Sequence, residues 1–172
     1  TIAICEVVVH AGDINSNELH ANAIIINLVQ KTIERFDPHG GNFYIPDDND
    51  EIVYNRSDFL FGNDNNFNKK KSTAVFDQEK IDNYLRKEFN TILPGYKYLD
   101  INNTCPYLGP QIKTDAFAGI CVTWSTMYII LRILNYKLKP EIITKKMIAG
   151  KPEILRNKAL RFLRFMVDTL KL

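Results

Sequence analysis

The chain has 172 residues, 45% of them hydrophobic and 24% charged, with a formal net charge of +2. That is one ordinary domain with room for a sizeable core, in the balance of a soluble globular protein, and the small charge gives no reason to expect a nucleic-acid partner. Three cysteines cannot complete a disulfide framework, so free thiols in a reducing compartment are expected and secretion is not.

Thr1-Ile-Ala-Ile-Cys-Glu-Val-Val-Val9 is broken by Glu6 and far too short to span a bilayer, and it has no signal-peptide pattern. No membrane partner is expected. The chain starts with Thr1 rather than Met, close to its first strand, as a segment with residues upstream would. Ile2–Val9 is rich in β-branched residues and reads as a buried strand. His10–Asn17, punctuated by Gly12, reads as a loop. His20–Leu28 is a second strand, Gln30–Lys31 suits a hairpin turn, and Lys31–Phe36 is the partner. Asp37-Pro-His-Gly-Gly41 then stops the strand, because Pro38 cannot donate to a ladder and two glycines follow.

From 42 to 73 the chain is polar and aperiodic, an insertion with an exposed loop at Asn63–Lys71. Helix resumes at Asp77, with Ile81, Tyr84, Leu85, Phe89 and Ile92 on one face. Pro94-Gly95 ends it, and Tyr96–Ile101 reads as a short strand. Cys121–Tyr136 is apolar nearly all round and is expected to be a central, buried helix, with Trp124 and Tyr128 in the core. Helices over Pro140–Ala149 and Pro152–Leu170 complete the chain. In the last, Ile154, Leu155, Ala159, Phe162, Leu163 and Met166 make a core stripe, and Arg156, Lys158, Arg161 and Arg164 lie away from it. The whole reads as a single domain over 1–172, without internal repeats. Its class is α+β, a central antiparallel sheet packed against helices.

Four polar residues stand at the edges of these apolar runs: His20, Asp37, Gln111 and Cys121. A thiol, an imidazole, a carboxylate and an amide are the parts needed for thiolate attack on an acyl group. A free thiol is mostly protonated at pH 7. Cys121 could be activated by the helix N-terminus and by an ion pair with His20, with Asp37 orienting the imidazole. The backbone N–H of Cys121 and the amide of Gln111 could bind the oxyanion. Each residue also has an ordinary reading, as a core thiol, a satisfied histidine, a turn aspartate or a loop amide. Cys105 lacks a following helix, and His39 stands beyond the acid, so both are weaker candidates. His10, His39 and the cysteines show no paired metal-ligand spacing, and neither zinc nor another cofactor is expected.

The order His20, Asp37, Gln111, Cys121, with the acid 17 residues after the histidine, resembles the ubiquitin-like-protein protease superfamily. That group holds the SUMO-specific, adenovirus and poxvirus core proteases. His20-Ala-Asn-Ala-Ile-Ile-Ile, Ile33-Glu-Arg-Phe-Asp-Pro-His-Gly40, Gly109-Pro-Gln111 and Gly119-Ile-Cys-Val-Thr-Trp-Ser125 are similar to its large-DNA-virus branch. The resemblance implies His20 as general base, Asp37 as orienting acid, Gln111 as oxyanion donor and Cys121 as nucleophile at the start of a buried helix. It implies a thiol peptidase or isopeptidase cutting after Gly-Gly-like residues. The substrate would be a protein, a ubiquitin-like conjugate or a viral precursor, in the cytoplasm or a virion. Two positions depart from the pattern. Ala21 stands where many relatives carry Trp, and the interval from Gln111 to Cys121 is long, with an extra loop through Lys113–Gly119. An acetyltransferase with the same triad, its cofactor on the basic last helix, and a catalytically eroded virion or scaffold protein are the alternatives.

Overall fold

Ile2–His10 (β1), Leu19–Asn27 (β2) and Thr32–Phe36 (β3) are sequential antiparallel neighbours, and Lys97–Leu99 (β4) adds to β3, giving the order β1-β2-β3-β4. The computed structural model describes residues 2–10, 19–41, 78–106, 109–114 and 120–171. The Asn63–Lys71 loop lies outside the described residues. So do the rest of the polar insertion, the Gly12 loop and most of Lys113–Gly119.

The β2–β3 hairpin turns on Asn27. Its Oδ1 accepts the backbone N–H groups of Val29 at 3.1 Å and Gln30 at 3.0 Å. Its amide also donates to Gln30 Oε1 at 3.1 Å, and Lys31 takes a left-handed φ of 52° to re-enter the ladder. The sheet is mixed, which corrects the expectation of a purely antiparallel one: β4 runs parallel to β3. The connection between them is a long crossover ending in Gln78–Ile92 (α1), not a hairpin. The expected strand through Ile101 is also shorter. Asp100 accepts the N–H of Asn102 at 3.1 Å and caps the short helix Ile101–Thr104 (α2).

The remaining helices are Pro110–Lys113 (α3), Ile120–Leu134 (α4), Pro140–Met147 (α5) and Pro152–Leu170 (α6). Strand alternation separates two apolar layers. Ala23, Ile25 and Phe36 face Trp124, Tyr128, Ile143, Met147, Leu155 and Ala159. Ile24 and Ile33 face the other way, with Tyr98, Leu85 and Phe89. Each large side chain buried in these layers contributes about 1.5–3 kcal/mol relative to exposure.

The helix stripes are narrower than their sequences suggest. In α1, Tyr84 and Ile92 are 63% and 66% exposed, because β4, with three residues, offers little surface to cover. Helix α4 is fully buried mainly along one face. That face holds Ser125 and Arg132 beside Trp124 and Tyr128, Thr123 is covered on the opposite side, and Val122 and Leu134 are exposed. Arg132 explains part of this polarity. It forms a buried ion pair with Glu34 of β3 at 2.6 Å and donates to the Leu138 carbonyl at 2.8 Å. In α6 only Leu155 and Ala159 of the expected stripe are fully covered, and Ile154 and Leu163 are exposed. Arg156, expected to lie away from the core stripe, donates through Nε to the Thr114 carbonyl at 2.8 Å. No helix among the described residues is long and apolar enough to cross a membrane.

Candidate active site

His20 is the second residue of β2, and Asp37 follows the last residue of β3. The pairing of Ala23 with Phe36 brings both to the open end of the hairpin. Cys121 is the second residue of α4, and α4 is tied to β2 beside His20. Ser125, one turn after Cys121, donates its hydroxyl to the Ala21 carbonyl at 3.1 Å, fully buried. That bond, with the packing of Trp124 and Tyr128 on Ala23 and Ile25, ties the helix to the strand.

Three of the four sequence candidates come together. His20 Nε2 lies 2.6 Å from Asp37 Oδ1, and the His20 ring and the Cys121 thiol stand close enough to shift one another's titration. With Nε2 used by the carboxylate, Nδ1 is the nitrogen left for sulfur. Backbone hydrogen bonds from Ala21 and Val122 also reach that sulfur. Both oxygens of Asp37 are engaged: Oδ1 also accepts the backbone N–H of His39 at 2.7 Å, and Oδ2 accepts from the Gln78 amide at 2.9 Å. Gln78 is itself held, because its Oε1 accepts from Arg35. Arg35 stands 3.3 Å from Asp82.

The electrostatics follow from these contacts. Burial opposes charge on His20, but the bonds to Asp37 and Cys121 outweigh it and raise its pKa from 6.5 to about 9. Burial likewise opposes charge on Asp37, yet the His20 hydrogen bond and the nearby His20, His39 and Arg35 charges hold it well below the usual carboxylate range. The His20 hydrogen bond lowers the Cys121 thiol against a smaller opposing effect of burial, and the Ala21 and Val122 bonds lower it further. A thiolate beside an imidazolium is the state these shifts favour.

Gln111 lies in α3, and its side chain is not part of this relay. It is buried, its Oε1 has no hydrogen-bond partner, and α3 rests against α4. Its backbone, however, is bound to the acid turn. The N–H groups of Gln111 and Gly109 donate to the carbonyls of Pro38 at 3.0 Å and His39 at 2.8 Å, and Gly41 N–H donates to Pro106 at 2.9 Å. The close approach requires glycine at 109: a Cβ there would stand 2.2 Å from the Pro38 oxygen. The turn itself is closed by Gly40 N–H on Asp37 C=O at 2.9 Å, with Gly40 at φ 100°.

Cys105 is a free thiol with a different use. Its sulfur accepts the Asp37 backbone N–H at 3.3 Å, and burial pushes it up to about 12. That environment keeps it protonated and makes it a brace for the acid. His39, set aside from sequence as a competing base, stacks on His20 with ring centroids 3.9 Å apart and planes 12° apart. His20, Asp37 and His39 offer three donor atoms within 4.8 Å of one another. In stacked rings, however, the lone pairs run side by side rather than converge, and His20 Nε2 already serves Asp37.

Sequence reasoning missed Gln78, Ser125 and the contact made by His39. Gln78 begins the helix after the polar insertion and carries no local signal, since its partner is 41 residues away. Ser125 could have been suspected, because a hydroxyl in an apolar helix needs an acceptor. Comparison of the chain with family models, curated proteins and solved structures finds no match.

Proposed function

We propose that the chain is a cysteine peptidase or isopeptidase, with Cys121 as nucleophile, His20 as acid and base, and Asp37 as the orienting carboxylate. The observation that carries this reading is the series of thiol, imidazole and carboxylate, with His20 2.6 Å from Asp37 and lowering the Cys121 thiol, and with both oxygens of the acid hydrogen-bonded. The thiolate attacks the scissile carbonyl carbon, and the oxyanion is held by the Cys121 N–H. The Gln111 amide is proposed as second donor, of a kind worth roughly 3–4 kcal/mol in the transition state. His20 passes its proton to the leaving amine, so that a thioester remains on Cys121. It then takes a proton from water, which attacks the thioester and frees the enzyme. Asp37 keeps the imidazole in the tautomer this requires and stabilises its charge.

The proposed substrates are ubiquitin-like conjugates or viral structural precursors, cut after Gly-Gly-like residues. An erosion of the site is less well supported, because an idle centre has no need of a buried carboxylate bonded at both oxygens beside the imidazole. Ubiquitin- and SUMO-derived vinyl probes, together with Gly-Gly peptide esters, test the reading. Labelling is expected to vanish in Cys121→Ala and persist in Cys105→Ala. The reverse pattern would sink the assignment.

A further inference from the structure

We propose that His39 is a positioning residue for His20, its ring acting as a flat stop that keeps His20 Nδ1 directed at Cys121. The proposal rests on the peptidase reading only in taking the thiol–imidazole pair as the working centre.

The hydrogen bond at Nε2 fixes one atom of the His20 ring, and a swing of the ring about that atom would change where Nδ1 points. Any such swing carries Nδ1 off the sulfur. The stacked ring of His39, 3.9 Å away and within 12° of parallel, closes one face of that motion at van der Waals thickness. His39 is suited to the task because its backbone cannot drift. Its N–H is on Asp37 Oδ1 at 2.7 Å, its C=O accepts from Gly109 at 2.8 Å, and the turn is closed between Asp37 and Gly40. One carboxylate oxygen thus fixes both the His20 nitrogen and the residue that stacks on the His20 ring. Asp37 and Cys121 are the titratable groups bonded to His20, and Arg35 acts on Asp37 through its charge. His39 supplies the flat ring stacked on His20. On the other side of the sequence, Ala21, next to His20, has no ring with which to do so.

The test is the rate of Cys121 alkylation by iodoacetamide between about pH 5.5 and 8, which reports the thiolate whether or not a substrate is known. Mass spectrometry assigns the alkylated peptide. His39→Ala is expected to slow alkylation below pH 7 by roughly five- to tenfold and to move its apparent pKa upward. His39→Phe, which keeps a flat ring, is expected to stay within about twofold of the parent. All variants retain the backbone N–H that serves Asp37. Should His39→Ala not fold, His39→Leu keeps bulk without a flat face and is expected to show the same slowing. Unchanged alkylation in the Ala or Leu variant would overturn the proposal, as would an equal loss in His39→Phe. A chain that cleaves no probe yet shows the His39-dependent profile would support the positioning role and count against the peptidase reading.

Discussion

The Gln78 amide donates to Asp37 Oδ2 at 2.9 Å across 41 residues of sequence, and both residues are buried. This bond occupies the carboxylate oxygen that His20 does not use. Without it, a buried charged oxygen loses its partner and Arg35 loses an acceptor. Losing one hydrogen bond to a charged group costs about 1.5–3 kcal/mol. We therefore expect Gln78→Ala to lower kcat/KM toward a Gly-Gly ester by about tenfold or more, with KM little changed. Gln78→Glu should be worse, since it sets a second carboxylate against Asp37. Steady-state kinetics on the two variants decides it. Parental rates in both would mean that Asp37 needs no second anchor.

The relay titrates in a defined window. The His20 pKa is raised from 6.5 to about 9, so its charged form stabilises the fold fully below 6.5, and that contribution is lost as pH rises through 9. Asp37 is shifted down from 3.8, so its contribution is present above 3.8 and is lost as pH falls through its folded value. The urea-midpoint difference between the parent and His20→Gln should thus be largest from 3.8 to 6.5 and shrink above 9. Cleavage should decline above 9, when His20 can no longer give up a proton. Alkylation of Cys121, which needs only the thiolate, should persist there. A cleavage rate that keeps rising above 9 would contradict the imidazolium role of His20.

The legible parts of this molecule were the ones written locally. The hairpin follows from β-branched runs broken at Asn27–Lys31, and Asp37-Pro-His-Gly-Gly41 reads as a stop without reference to anything else. The placements of His20, Asp37 and Cys121 at element ends are also visible in the string. What escaped is non-local. The parallel pairing of β4 depends on how the crossover returns, and the exposure of Leu163 on α6 depends on which surfaces remain to cover it. The polar residues Ser125 and Arg132 within an apolar helix are buried against partners on β2 and β3, about a hundred residues earlier in sequence. Their partners, Ala21 and Glu34, carry no mark of the pairing.

Gly109 couples the acid turn to the Gln111 segment by close backbone approach. Its absent Cβ would fall 2.2 Å from Pro38 O, 2.4 Å from Gly40 N and 2.5 Å from His39 C. All three are backbone atoms, which cannot move aside as a side-chain tip can. Gly109→Ala must therefore push the turn away and lengthen the bonds on which Asp37 and His39 are placed. Overpacking of this kind costs about 1–3 kcal/mol. A melting temperature lowered accordingly, together with slower alkylation of Cys121, is the expected result. If stability falls while alkylation is unchanged, the turn tolerates displacement without disturbing the relay.

Ser125 offers the cleanest separation of position from chemistry. Its hydroxyl donates to Ala21 C=O at 3.1 Å and ties α4 to β2 beside His20. Ser125→Ala keeps the helix and its packing volume nearly intact while leaving the Ala21 carbonyl without that donor. The expected loss in stability is about 1 kcal/mol. A larger effect is expected on the thiol, because a small axial shift of the helix lengthens the Cys121–His20 bond directly. Ser125→Ala should raise the apparent pKa of Cys121 toward 9.0, its value as an isolated thiol. Ser125→Thr, which restores the hydroxyl, should return it toward the parent value. The pH dependence of alkylation in both variants measures this. A pKa unmoved in Ser125→Ala would show that the α4 register is held by the Trp124 and Tyr128 packing alone.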